Sequence, residues 1–161
     1  MTSQMAVEIA EIPHAAMRLL RDGAEAADAI AARIRAADPA YLATVARGSS
    51  DHACAFLKYA VELETGLPVA SLGPSVASVY RRPLNMVRSA TIAVSQSGKS
   101  PDIVAMAQTA KAGGSLVIAL TNQKASPLAD AADCTFDILA GPELSVAATK
   151  SFVNSAIAGL M

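Results

Sequence analysis

Tryptophan is missing from this sequence, and three phenylalanines and three tyrosines bring aromatic residues to only 4%. A core so poor in rings has to be filled by Ala, Val, Ile and Leu. That mix suits β-branched strands between Ala-rich helices better than a β-sandwich, which leans on aromatics. Cysteine is nearly absent too. Cys54 and Cys134 show no metal-ligand spacing and sit among small apolar residues, so both are expected to be buried thiols in a reducing compartment. Neither sign of charge dominates. The formal net charge is −1 with no basic stripe, and the electrostatic footprint of a nucleic-acid binder is missing. The apolar runs fall well short of the ~20 residues of a membrane span. Met1-Thr2-Ser3-Gln4 has neither the basic start nor the apolar stretch of a signal peptide. Together these absences predict a cytoplasmic protein without a nucleic-acid or membrane partner.

What is present is 53% hydrophobic content in a chain of 161 residues, enough for one domain that buries about two-thirds of its unfolded surface. The N-terminal part reads as helical. Ile9, Ile12, Ala16, Leu19 and Leu20 recur at helical spacing, interrupted by Pro13, which lacks an N–H and pushes Ile12 from the α region. A short helix to about Glu11 and a second from Pro13 to Arg21 are expected, the latter ended by Gly23. Ala27, Ile30, Ala31 and Ile34 mark the apolar face of a third, closed before Asp38-Pro39. Residues 1–38 therefore form an N-terminal helical segment ahead of a domain spanning 39–161.

After Pro39 the period changes. Tyr41–Ala46 is a short, nearly continuous apolar run, as expected of a strand buried on both faces. A helix follows, with Ala53, Phe56, Leu57 and Ala60 on one side and Gly66 at its end. Further strands are expected at Pro68–Leu72, Ser89–Val94, Ser115–Leu120 and Cys134–Leu139, with a helix at Pro101–Ala112 stopped by Gly113-Gly114. This alternation predicts an α/β fold of three αβα layers, with a five-stranded parallel sheet in the flavodoxin-like order 2-1-3-4-5. Thr149 to Met161 is an apolar helical segment without a cap, as in the first of two such domains.

The densest polar motif is Ser95-Gln96-Ser97-Gly98-Lys99-Ser100-Pro101-Asp102, where the third strand meets its helix. An oxyanion placed there meets free N–H groups and the positive end of a helix dipole. Hydroxyls and a carboxamide add uncharged donors. Ser100 also suits an N-cap and Pro101 a first helical position, as in a plain helix start, but four polar residues packed around a glycine directly after a buried strand favour anion binding. Ala93–Ser100 differs by one residue from a nucleotide-binding P-loop, but Ala93 stands where the first glycine is required. No strand ends in an acid suited to a metal, and Lys99 reads as solvated. Arg47-Gly48-Ser49-Ser50 follows the first strand and would flank the same crevice in a sheet of this order. Glu143–Lys150 follows the fifth strand. Ser145 or Thr149 could cap the last helix there, and Glu143 could serve its positive end. His14, His52, Arg81 and Arg82 lie in no recognisable constellation.

Glu8-Ile9-Ala10-Glu11-Ile12-Pro13, Ala46-Arg47-Gly48-Ser49-Ser50, Ser95–Ser100 and Glu143-Leu144-Ser145-Val146-Ala147-Ala148-Thr149-Lys150 together resemble the sugar isomerase (SIS) domain family. Within it they are most similar to the first half of the isomerase domain of glutamine-fructose-6-phosphate aminotransferases and related phosphosugar isomerases and deaminases. The resemblance implies that Ser95, Gln96, Ser97 and Ser100 hold a phosphate, with Ser49, Ser50, Glu143 and the backbone of Val146 on the sugar side. It implies a hexose or hexosamine 6-phosphate ligand, no cofactor or metal, and a homodimer. The implied chemistry is ring opening followed by proton transfer between C1 and C2. Ala148 stands where the synthases have a ligand-contacting serine, Lys99 where they have an acid, and Ser145 where they have a glycine. The family's acid, histidine and lysine for proton transfer belong to a second domain, and its glutaminase domain has no counterpart here. A non-catalytic sugar-phosphate sensor is the alternative.

Overall fold

A computed structural model describes residues 3–161. Three helices lead the chain: α1 (Gln4–Ala10), α2 (Ile12–Asp22) and α3 (Ala24–Ala37). Pro13 sits in the first turn of α2, where its missing N–H leaves no hydrogen bond unmade. Asp38, in the left-handed conformation with φ 44°, closes α3. The chain then alternates through β1 (Tyr41–Val45), α4 (Ser49–Thr65), β2 (Val69–Ser71), α5 (Ser75–Ser78), β3 (Ser89–Val94), α6 (Pro101–Ala112), β4 (Leu116–Thr121), α7 (Pro127–Ala131), β5 (Cys134–Asp137) and α8 (Lys150–Leu160).

The strands form one five-stranded parallel sheet in the order β2-β1-β3-β4-β5, as the alternation predicted. Every residue of β3 is buried, because helices cover both faces. On one face Ala43, Val45, Ala93, Val117 and Ala119 pack with Ile103, Met106, Ala107 and Ala110 of α6. On the other, Ile92, Val94, Leu120 and Phe136 meet Leu19 of α2, Cys54 and Leu57 of α4, and Ala158 of α8. Among the described residues no helix is long and apolar enough to cross a membrane.

Several expectations about burial need correction. Ile9 and Leu20 are exposed, while Glu8, Ala15 and Leu19 are buried. The body contacts these helices along a narrow line centred on Ala15 and Leu19, one turn apart, rather than along the broader apolar stripe. Phe56 is 51% exposed because α4 turns Ala53, Cys54 and Leu57 inward. Cys134, on the edge strand, is only partly buried. Cys54 is fully buried, and burial together with the charge of Asp51 pushes its thiol up to about 12, which leaves it unreactive. The short helices α5 and α7 were not expected from the sequence.

Ile103→Ala should lower stability by about 2–4 kcal/mol, since it opens a cavity beneath α6. Phe56→Ala should stay within about 0.5 kcal/mol. Urea unfolding of both variants measures the contrast; equal losses would contradict this assignment of the core face.

Candidate functional site

The register of the sheet sets the site. Val45 of β1 lies opposite Ala93 of β3, so both strands end at the same edge. From there β1 feeds α4 on one face of the sheet, and β3 feeds α6 on the other. Neighbouring parallel strands whose helices depart to opposite faces leave a crevice at their carboxyl ends. Two of the three sequence-selected segments flank it. Ser49 and Ser50 occupy the first turn of α4, after Gly48 with φ +60°. Across the crevice, Arg47 Nη1 donates to Asp102 Oδ2 at 3.3 Å, tying the β1 loop to the start of α6. Asp102 Oδ1 is buried without a hydrogen-bond partner among the described residues.

The serine loop turns its carbonyls toward the body. Gln96 O accepts from Asn122 N at 3.0 Å and from Thr121 Oγ1 at 3.3 Å, and Gly98 O accepts from Leu128 N at 3.0 Å. The N–H groups of Gln96, Ser97, Ser100, Asp102 and Ile103 have no acceptor among the described residues. Such a set of unpaired donors at a helix start is what an anion requires. Ser100 does occupy the N-cap of α6, but its hydroxyl makes no cap bond, contrary to the capping expectation. It instead receives a long contact from Ser95 Oγ at 3.4 Å. Ser97 Oγ accepts from Lys99 N at 3.3 Å, and the Lys99 side chain is exposed. Gly98 has φ +62°, and a Cβ there would lie 2.2 Å from Ser126 Oγ. Ala93 is a fully buried strand residue, so the backbone does not begin to curl before Ser95 and the P-loop geometry is not formed.

The third segment, residues 142–149, is held by carboxylates. Neither Ser145 nor Thr149 caps α8 with its side chain. Glu143 does so instead, accepting from Thr149 N at 3.0 Å, Thr149 Oγ1 at 2.9 Å, Ser151 N at 3.1 Å and the Ser151 hydroxyl. Burial raises its pKa, but the Ser151 and Thr149 donors outweigh that and leave it below the usual carboxylate range. Val146 is fully exposed.

Three features were missed in the sequence. Glu8 of α1 is buried and accepts from Leu144 N at 2.6 Å and Ser145 N at 3.2 Å. The adjacent Ser145 hydroxyl, itself without a well-aligned partner, and the Leu144 N–H hold the Glu8 carboxyl down at about 2 against the effect of burial. Lys150 is buried and paired with Glu11. Asn122 joins the serine loop to the third segment: its N–H bonds Gln96 O, its Nδ2 donates to Gly141 O at 2.7 Å and its Oδ1 accepts from Ala140 N at 2.9 Å. Glu8 opened one of the segments that carry the family resemblance and lies in a polar stripe at helical spacing, Gln4, Glu8 and Glu11, but neither signal marked it as an anchor. His14 lines a small pocket with Glu11, Arg18 and Lys150, while His52, Arg81 and Arg82 are exposed. Among the described residues no group of three or more His, Cys, Asp or Glu is placed to hold a metal ion.

The model of the SIS domain matches residues 37–161. A glutamine–fructose-6-phosphate aminotransferase (isomerizing) from Caldanaerobacter subterraneus subsp. tengcongensis is 40% identical over 116 residues, covering 71% of this chain and 19% of that protein. The crystal structure of a candidate phosphosugar isomerase from Silicibacter pomeroyi superposes with a TM-score of 0.94 at 61% identity, covering 98% of this chain and 48% of that one. The C-terminal domain of glucosamine-fructose-6-phosphate aminotransferase from Francisella tularensis shares the fold, with a TM-score of 0.87 at 23% identity over 99% of this chain and 46% of that one. The chain thus spans about a fifth of the first curated relative and about half of these solved chains.

Gly98→Ala should destabilise the protein by about 2 kcal/mol, through left-handed strain and the clash with Ser126; chemical unfolding would report it. The depressed Glu8 carboxyl stabilises the fold fully above its ordinary value of 4.5, and that contribution fades as pH falls through about 2. Glu8→Gln should therefore flatten the acid limb of a stability–pH profile, and an unchanged limb would remove Glu8 from it.

Proposed function

The chain belongs to the SIS domain family, and from that premise we propose that it holds the phosphate of a hexose or hexosamine 6-phosphate at Ser95–Ser100. The protein it serves is a phosphosugar isomerase, deaminase or aminotransferase. One observation carries the reading: at the carboxyl edge of β3, unpaired N–H groups and serine hydroxyls converge where helix α6 begins. Ser95, Gln96, Ser97 and Ser100 are the phosphate ligands. Ser49 and Ser50, at the other wall of the crevice, face the sugar, and the exposed Val146 segment offers its backbone to it. Glu143 contributes by fixing that segment, since its oxygens are taken up by Thr149 and Ser151.

The reaction opens the ring and moves a proton between C1 and C2, which requires a base within hydrogen-bond reach of the carbon-bound proton. The residues around the crevice bind and orient. The base comes from the remainder of a protein of the relatives' length, since this chain spans 48% of the Silicibacter pomeroyi structure. A homodimer in the cytoplasm completes the proposal, and the exposed Leu144, Val146 and Leu160 are apolar surface of the kind that subunit contacts cover.

Ser97→Ala and Ser100→Ala should each weaken fructose 6-phosphate or glucosamine 6-phosphate binding by about 1–2 kcal/mol, measured calorimetrically. Ser100→Ala should leave the melting temperature unchanged, because its hydroxyl caps nothing. Lys99→Ala should bind normally. Unchanged affinities in both serine variants, or magnesium-ATP binding abolished by Lys99→Ala, would overturn the assignment. Binding without turnover by the full-length protein would identify a sensor.

A further inference from the structure

Helix α1 is attached to the rest of the fold in an unusual way. Its Met5, Val7 and Ile9 are exposed. Its one buried side chain among the described residues is an acid, Glu8, only 1% exposed. Gln4 Nε2 donates to Glu8 Oε1 at 3.2 Å from one turn earlier. The remaining acceptor capacity goes to the backbone of a segment far away in sequence, with Leu144 N at 2.6 Å and Ser145 N at 3.3 and 3.2 Å from the two oxygens.

The recipient segment has little else to define it. Residues 142–148 form no regular secondary structure, none of them is buried, and their large apolar residues, Leu144 and Val146, are exposed. Packing therefore cannot set its backbone path. Polar anchors do: Asn122 at Ala140 and Gly141, Glu143 at the start of α8, and Glu8 at Leu144 and Ser145. Of these, the Glu8 anchor lies nearest in sequence to Val146. A carboxylate accepting backbone N–H bonds in a buried site binds strongly and is directional, so it fixes a peptide's orientation as well as its position.

We propose that Glu8 is a positioning residue for sugar recognition. Its carboxylate orients the Leu144–Ser145 peptides so that the backbone of Val146 meets the sugar, while the serine loop holds the phosphate independently. The inference rests on the sugar-phosphate reading of the site. It separates two parts of one ligand: the serine loop is anchored on β4, the residue after it and α7 through Leu120, Asn122 and Leu128, with no hydrogen bond to Glu8 among the described residues. Loss of Glu8 therefore acts first on the Leu144–Val146 backbone, which is joined to the serine loop through Asn122 at Ala140 and Gly141.

The test compares fructose 6-phosphate with inorganic phosphate on the full-length protein, by calorimetry, in wild type, Glu8→Gln, Glu8→Ala and Ser97→Ala. Loss of hydrogen bonds to a buried charge should weaken fructose 6-phosphate about tenfold in Glu8→Ala, and less in Glu8→Gln, which keeps one acceptor oxygen. Inorganic phosphate should bind both Glu8 variants as it binds wild type. Ser97→Ala should weaken both ligands alike. A merely structural role for Glu8 would lower the melting temperature without separating the two ligands, and Glu8→Gln carries the comparison if Glu8→Ala does not fold. If Ser97→Ala weakens both ligands while the Glu8 variant weakens neither, or both equally, the positioning role is overturned and the phosphate site stands. If Ser97→Ala changes neither ligand, the phosphate reading falls and this inference falls with it.

Discussion

The parallel pairing of β1 with β3, with Val45 set against Ala93, is the contact on which the arrangement of the site depends. Right-handed crossovers allow the helix after one strand to cover one face and the helix after its neighbour to cover the other. Here α4 and α6 do this, so the chain separates at the strand ends instead of closing over them. Arg47 and Asp102 then bridge the gap at its rim. The crevice is thus a product of topology, and its polar lining is what the sequence adds.

That lining divides sharply between groups that are committed and groups that are free. Glu143 and Glu8 are bound to backbone N–H groups of the 142–151 region, and Lys150 is paired with Glu11. Asn122 is engaged at its backbone N–H and both ends of its side chain. The serines of the 95–100 loop are bonded weakly or to one another. Buried polar groups left without partners are destabilising, whereas groups at an open crevice keep water until a ligand replaces it. The committed residues therefore give shape, and the free ones are available for binding.

The sheet was legible in the sequence because the strands buried on both faces, β1, β3 and β4, carry no charged residue to interrupt them, and Gly, Ser and Pro mark where they stop. Ser89–Val94 shows this, with the same bounds in sequence and structure. The serine loop was legible by hydroxyl density at a strand-to-helix junction. Helix faces were harder: spacing identifies neighbouring apolar lines but not which one the body covers, hence Phe56, Ile9 and Leu20. Helices α5 and α7 have four and five residues, too few to show a period. Glu8 was invisible as an anchor because its partner, Leu144 N, is separated from it by 136 positions, and an acid on a helix otherwise reads as solvated.

The residues of the serine loop proposed as phosphate ligands, Ser95, Gln96, Ser97 and Ser100, carry no titrating side chain. Hydroxyls, a carboxamide and backbone N–H groups keep the same protons across the physiological range. A phosphate monoester does not, since its second ionisation falls at about 6. Acidity would therefore act on this loop through the ligand and not through the protein. The affinity curve would follow the ligand's own dianion fraction, making the site a passive reader of how much dianion the surrounding solution contains.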